Sequence, residues 1–422
     1  MKVLIIAYAS EPNAGSEYGV GWQVPMVMAQ QYPEIDVYVL TRSRCREKIE
    51  QSLAEMGLPN IHYLFYDVPK WMYYKKEIGS KWGEQFNYII WQLMCRKYIK
   101  KRHEQLHFDI IHHLTFNQYR TPSPGFFMDI PFVMGPVGGA ETINPVFYQD
   151  LEQHTIHKEK VRLRGMDLRL FGWLVKQKKN NKVFLFSSRE NMERLRIYCK
   201  GYQASVLPAI GFNPHEFEGC ETVFENTEKT FVMVYAGKAL DWKGIHVFLK
   251  SARIAFVEKG IQNFVIRLIG IRFPQELDKV NGWINELGLQ KQVELIPFMQ
   301  RDDLLKELSS CDLSVYPAFR DSGSMSVLEA SALGCPTICF NAGGQDAFPD
   351  EVLLKVQIAD DYNETIMRFA QKLLWAYSHR DKARKIGYDA RCYVAHELTW
   401  EKKVGAFHSI YLNLLNDSFE NN

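Results

Sequence analysis

Two carboxylates, Asp321 and Glu329, stand eight positions apart in DSGSMSVLEASALGCPTI, with Ser322, Gly323, Ser324 and Met325 between them. Ionised carboxylates accept hydrogen bonds from hydroxyl groups. The Ser/Gly run favours a loop or cap, and residues 327–332 read as a short helix that Gly334 ends and Pro336 keeps from continuing. A helix opened by small residues presents unpaired backbone N–H groups, which suits an anionic or polyhydroxylated ligand. A second constellation is Lys238 and Lys243 in GKALDWKG, just beyond a predicted strand, with Gly244 opening the next helix. Two ammonium groups and a helix N-terminus can act on one phosphate. Each constellation also has a plain structural explanation, a capped helix with a solvent-facing Glu and a pair of surface lysines.

The elements that must position these residues follow a repeating pattern. Residues 2–8, KVLIIAY, form an apolar run of the buried-strand type, followed by the loop SEPNAGSEYGVGW and a helix from about Glu17. Gly15, Ser16, Gly19 and Gly21 keep the backbone nearly bare at the carboxyl end of that strand, where open α/β sheets bind ligands. Further strands are expected at 36–40, 61–65, 108–113, 131–134, 182–187 and 204–207. His112 and His113 end one of them and are candidates for a ligand cleft, though a strand-end histidine is as often structural. Gly138 lies in a second glycine-rich turn, GPVGGAE. His154 and His157 have a spacing that could share a metal on a helix, but no third ligand is near in sequence.

The pattern stops near Pro208 and resumes at Thr230, with strands expected at 230–237, 264–270, 293–297, 313–316 and 337–340. The fold class is therefore α/β, with two doubly wound Rossmann-like domains at 1–208 and 230–397 joined by a linker at 209–229. The amphipathic stretch 398–422 is expected to pack back onto the first domain or to brace both.

Hydrophobic residues at 46% and charged residues at 24% of the 422 exclude a disordered chain, and a net charge of +2 argues against nucleic acid as a partner. Eight cysteines without a CxxC pair fit free thiols in a reducing cytoplasm. The start, MKVLIIAYAS, is too short for a signal peptide or a spanning helix. Two segments, 70–104 and 151–180, interleave basic and aromatic residues, which fits either peripheral contact with the inner face of a membrane or ordinary solvated helix faces.

Taken in order, GSExGxGW, GKALDWKG, ELGLQKQVELIP, CDLSVYPA and DSGSMSVLEASALGCPT resemble glycosyltransferase family 4. The resemblance implies a retaining, metal-independent hexosyltransferase of GT-B architecture, its domains facing each other across a cleft, with a nucleotide-diphosphate sugar, UDP-sugar favoured, as donor and a glycan or lipid-linked acceptor. It assigns Glu329 to the ribose, Lys238 and Lys243 to the diphosphate, and Asp321 with the 322–325 turn to the transferred sugar. Asp321, Lys243 and Lys238 would then carry the chemistry, and the Gly15 backbone would close over the phosphates and the acceptor. The chain departs from the family in three places. Asp321 stands where Glu is usual, Lys238 stands where Arg is usual, and GPVGG lacks the histidine of a Thr-x-His turn. A sugar-nucleotide isomerase and a non-catalytic sugar-nucleotide binder are the competing readings. The missing GxGxxG disfavours an NAD-dependent oxidoreductase.

Overall fold

Seven apolar runs in the first half of the chain become parallel strands: β1 (Lys2–Ala7), β2 (Asp36–Thr41), β3 (Ile61–Phe65), β4 (Ile110–Thr115), β5 (Phe132–Val137), β6 (Lys182–Phe186) and β7 (Gln203–Val206). The computed structural model describes residues 1–72, 81–217 and 230–420. The sheet order is β3-β2-β1-β4-β5-β6-β7. β1 shows why its sequence is apolar throughout. Val3, Ile5 and Ala7 pack among residues of the helices Ser16–Gln31 and Trp400–Glu420, whereas Leu4, Ile6 and Tyr8 pack among those of the helices Lys81–Leu106 and Met166–Val175. A strand covered on both faces has no polar side to show.

The second half forms β8 (Phe231–Ala236), β9 (Phe264–Ile269), β10 (Val293–Ile296), β11 (Leu313–Tyr316), β12 (Thr337–Phe340) and β13 (Leu354–Val356), ordered β10-β9-β8-β11-β12-β13. In each sheet the order reverses beside its first strand, at β1/β4 and at β8/β11. Such a switch point leaves a crevice at the carboxyl ends of the two strands.

The chain divides into one unit of 1–140, 164–211 and 400–422 and a second of 141–163 and 212–399. The final helix belongs to the first unit. Trp400, Val404, Phe407, Tyr411 and Leu414, spaced at four and three residues, are its buried face. Burying a large apolar side chain is worth about 1.5–3 kcal/mol, so this face fastens the helix securely.

One division differs from the sequence expectation: residues 141–163 leave the first domain and join the second unit. Their apolar residues explain it. Ile143, Phe147 and Leu151 are buried in the second unit's core, and Phe147 stacks on Phe319 with ring centroids 3.9 Å apart and planes 5° from parallel.

Candidate donor site

The loop 237–244 follows β8 and ends in a short 3-10 turn, Asp241–Lys243. Gly244 closes it at φ 71°, and a Cβ there would collide with the Pro317 carbonyl oxygen. Only glycine satisfies both conditions, so the β8 loop lies directly against the loop that follows β11. Lys238 is exposed, while its carbonyl oxygen accepts a hydrogen bond from the Tyr235 hydroxyl at 2.8 Å. Lys243 turns inward. Its ammonium donates to the Tyr316 hydroxyl at 2.8 Å and forms an ion pair with Asp321.

Asp321 is the centre of this arrangement. Its Oδ2 takes hydrogen bonds from Lys243 and Tyr316, and its Oδ1 takes the Gly323 amide at 3.2 Å. Burial pushes its pKa up, but the Lys243 charge and the three hydrogen bonds outweigh burial, so the carboxyl lies below its ordinary value. The Tyr316 hydroxyl is pushed well above its ordinary pKa by burial and by the Asp321 charge, and it remains a donor. Asp321 was expected to offer its carboxylate to sugar hydroxyls. Instead it meets Lys243, the residue expected to hold phosphate.

Helix Met325–Ala332 begins beyond the loop, with Ser324 at its N-cap in a left-handed conformation. The Ser324 hydroxyl donates to Gln345 Oε1 at 3.2 Å, so it is a strut within the protein. The loop after β12 supplies the support. Gly344 N donates to the Asp321 carbonyl oxygen at 2.6 Å, and Gly343 adopts φ 63° where a Cβ would strike that same oxygen. Ser322 and Gly323 form the turn between Asp321 and this cap, and Met325 is the first helical residue. One turn into the helix, Glu329 pairs with Arg301 at 3.5 Å, and most of its side chain is buried. Tyr316, Arg301 and the 343–345 turn were not singled out from sequence. Their signals existed, an aromatic ending a strand and a Gly-Gly pair after a strand, but both are common in cores and turns.

In the first unit the glycines after β1 are of two kinds, Gly15 in the loop and Gly19 and Gly21 inside helix Ser16–Gln31. Cβ atoms at Gly19 and Gly21 would collide with the carbonyl oxygens of Ala14 and Ala9. These two are packing glycines. Gly15, at φ −87°, would meet nothing within 4 Å, so neither conformation nor packing requires it. Ser16 beside it is exposed, at φ 55°. Glu17, the second residue of helix Ser16–Gln31, accepts a hydrogen bond from the Asn117 amide at 3.0 Å, which ties the start of that helix to the β4 loop. Gly138 lies after β5, and its amide donates to the Asn117 carbonyl at 3.4 Å.

His112 and His113 are not cleft residues. Both are wholly buried. His112 lies between the Tyr411 hydroxyl at 2.5 Å and the Gly135 carbonyl at 2.6 Å, and His113 meets the Tyr88 hydroxyl at 3.2 Å. Burial lowers their pKa values to about 4 and about 3, so both are neutral structural groups at ordinary pH.

Of the aromatic residues in 70–104, Tyr73 and Tyr74 lie outside the described residues, and Tyr88 and Trp91 belong to the core. Phe86, Ile89 and Leu93 remain exposed on helix Lys81–Leu106, as do Met166, Leu170 and Trp173 on helix Met166–Val175. Phe127 links the two helices. Its ring lies 6.4 Å from that of Trp173 and 5.0 Å from the Arg96 guanidinium carbon. Among the described residues no helix is long and apolar enough to cross a membrane.

Residues 221–392 match the family of glycosyl transferases group 1. A curated relative, the N,N'-diacetylbacillosaminyl-diphospho-undecaprenol alpha-1,3-N-acetylgalactosaminyltransferase of Campylobacter jejuni, is 27% identical over 203 residues, covering 43% of this chain and 50% of that protein. The chain spans half or less of the length of the curated relatives it matches. Among solved structures, sucrose-phosphate synthase from Thermosynechococcus elongatus superposes with a TM-score of 0.67 at 18% identity over 99% of both chains. Anabaena HepE, in complex with UDP and glucose, superposes with a TM-score of 0.60 at 13% identity over 98% of this chain and 100% of that one. The two parallel sheets thus have the GT-B fold. The match places residues 221–392, within the second unit, with the group 1 glycosyl transferases, glycosyltransferase family 4.

Proposed function

We propose that this chain is a retaining glycosyltransferase that moves a sugar from a UDP-sugar to a glycan or lipid-linked acceptor. The observation that carries this reading is the convergence of Lys243, Asp321 and the N-terminus of helix Met325–Ala332 at the β8/β11 switch point. In this reading Lys243 and Lys238 face the donor diphosphate, Glu329 takes the ribose hydroxyls, and Asp321 with the 322–325 turn orients the sugar. Breaking the bond between the sugar's anomeric carbon and the diphosphate oxygen builds positive charge on the ring and negative charge on the diphosphate. Fixed cations and amides aimed at that diphosphate lower the barrier. The acceptor oxygen then bonds to the anomeric carbon on the same face, and its proton passes to the departing phosphate oxygen. Beyond β10, Phe298 is half exposed, with the Arg272 guanidinium carbon 4.5 Å from its ring centroid, and offers a surface on which the uracil can stack.

For the first unit, the exposed apolar residues of helices Lys81–Leu106 and Met166–Val175, flanked by Lys97, Lys100, Lys101, Arg169 and Lys176, support contact with an anionic membrane surface carrying the acceptor. Co-flotation with vesicles containing phosphatidylglycerol, lost with Trp173→Ser and absent with neutral vesicles, checks that contact.

The activity itself is tested by incubating the protein with a panel of UDP-, GDP- and ADP-sugars and lipid-linked acceptors, and reading the anomeric configuration of the product by NMR. Transfer from a UDP-sugar with retained configuration is expected. Conversion of the donor without acceptor would favour the isomerase reading instead, and no reaction with any donor would favour the non-catalytic one.

A further inference from the structure

The segment 141–163 supplies none of the groups assigned to the donor, yet it bonds to both loops that do, through the Glu159 side chain to one and the Glu152 backbone amide to the other. We infer that Glu159 is a positioning residue, which through Arg320 holds Asp321 in place while the rest of its segment holds the Lys243 loop. This inference rests on the donor-site reading above.

Glu159 is almost wholly buried. A buried carboxylate must be paired and hydrogen-bonded, and this one has a defined set of partners. It forms an ion pair with Arg320, lies 3.8 Å from Arg162 Nη1 and accepts a hydrogen bond from the Ile143 amide at 3.2 Å. Arg320 is peptide-bonded to Asp321, so fixing its guanidinium limits where the neighbouring carboxylate can point. Phe147, from the same segment, stacks on Phe319 immediately before Arg320. The loop after β11 is therefore gripped at two consecutive residues.

The other loop is gripped as well. The Glu152 amide donates to Asp241 Oδ2 at 2.9 Å, two residues before Lys243, and the second Asp241 oxygen takes the Trp242 amide at 3.0 Å. Trp242 closes the circuit between the loops. Its carbonyl accepts from the Phe319 amide at 2.9 Å, and the Arg320 guanidinium carbon lies 5.5 Å from its ring centroid. Asp150 anchors the segment behind the site, with His246 Nδ1 at 2.9 Å and Lys250 at 3.5 Å on helix Ile245–Ala255. A segment needed only to cover apolar core has no use for a buried carboxylate on one ligand loop and a backbone amide on the carboxylate of the other.

Two measurements on the full chain decide the matter. In Glu159→Gln, which keeps the volume and an acceptor for the Ile143 amide, amide hydrogen exchange in 238–244 and 319–324 should accelerate about tenfold or more, with β8 and β9 unchanged. The KM for donor should rise about tenfold while the acceptor KM holds, because misplaced loops weaken only what they bind. Arg320→Lys, which keeps the charge, should retain most of the protection. Adding Arg320→Met to Glu159→Gln should cost little more, since coupled partners are not additive. Unchanged loop exchange in Glu159→Gln, or faster exchange spread equally over β8 and β9, would overturn the positioning role. The exchange readout needs no ligand. Failure of the wild type to bind any nucleoside diphosphate would sink the donor-site reading, while loop exchange would still decide what Glu159 does.

Discussion

The ammonium of Lys243 and the carboxylate of Asp321, 78 positions apart in the chain, form an ion pair that the Tyr316 hydroxyl joins at the same carboxylate oxygen. Two residues expected to serve different parts of a ligand instead hold each other. The pair keeps a lysine aimed into the crevice at the carboxyl ends of β8 and β11. In the proposed donor reading, a diphosphate brings more negative charge than one carboxylate, draws the ammonium forward and releases Asp321 to accept sugar hydroxyls.

That arrangement makes the two residues energetically dependent. Lys243→Met leaves the Asp321 carboxylate mostly buried without its cation and should cost about 2 kcal/mol of stability, between the values for exposed and for buried pairs. Adding Asp321→Asn should recover most of the loss. Urea unfolding of the two single variants and the double variant measures this, and strictly additive losses would show that the pair is not coupled in solution.

Glu17 gives a pH signature in the first unit. Although part of its side chain meets solvent, burial of the carboxyl raises its pKa from 4.5 to about 7, against the lowering effect of the Asn117 amide. The folded state holds this proton more tightly than the unfolded state. Stability is therefore lost as pH rises from about 4.5 to about 7 and is level above. Glu17→Gln, which cannot titrate, should gain on the wild type across that window in thermal melts. A difference that does not vary with pH would mean that the carboxyl is solvated.

The glycines after β1 should respond in opposite ways. Gly15→Ala should fold with stability within about 0.5 kcal/mol of wild type and yet impair transfer, because the proposed reading lays the ligand against its backbone. Gly21→Ala should lose about 2 kcal/mol or more, since its Cβ would collide with the Ala9 carbonyl oxygen. Melting temperatures and transfer rates of the two variants separate the roles. Equal destabilisation would remove the distinction.

Much of the architecture was legible because strands covered on both faces leave unbroken apolar runs. β3, β11 and β12 were expected at the residues where they occur. β13 was not, since three residues of a sheet edge are too few to show a period. The loops carrying Lys243 and Asp321 could be read because glycine and serine after a strand mark a place where the backbone turns sharply. Their mutual pairing could not, because it depends on Gly244 fitting against Pro317 across the switch point. The allegiance of residues 141–163 was hidden for a similar reason. Phe147 looks like any buried aromatic until Phe319 is placed beside it. His112 and His113 misled because a strand end read from sequence is uncertain by a residue or two, and β4 runs on to Thr115.

The most direct measurement is calorimetric titration of UDP into the wild type, Lys243→Met and Glu329→Gln. Binding by the wild type, weakened about tenfold or more in each variant, is the expected result, as loss of a charge-assisted hydrogen bond is worth roughly 1.5–3 kcal/mol. A wild type that binds no UDP, or variants that bind it equally well, would contradict the placement of the donor at the β8/β11 switch point.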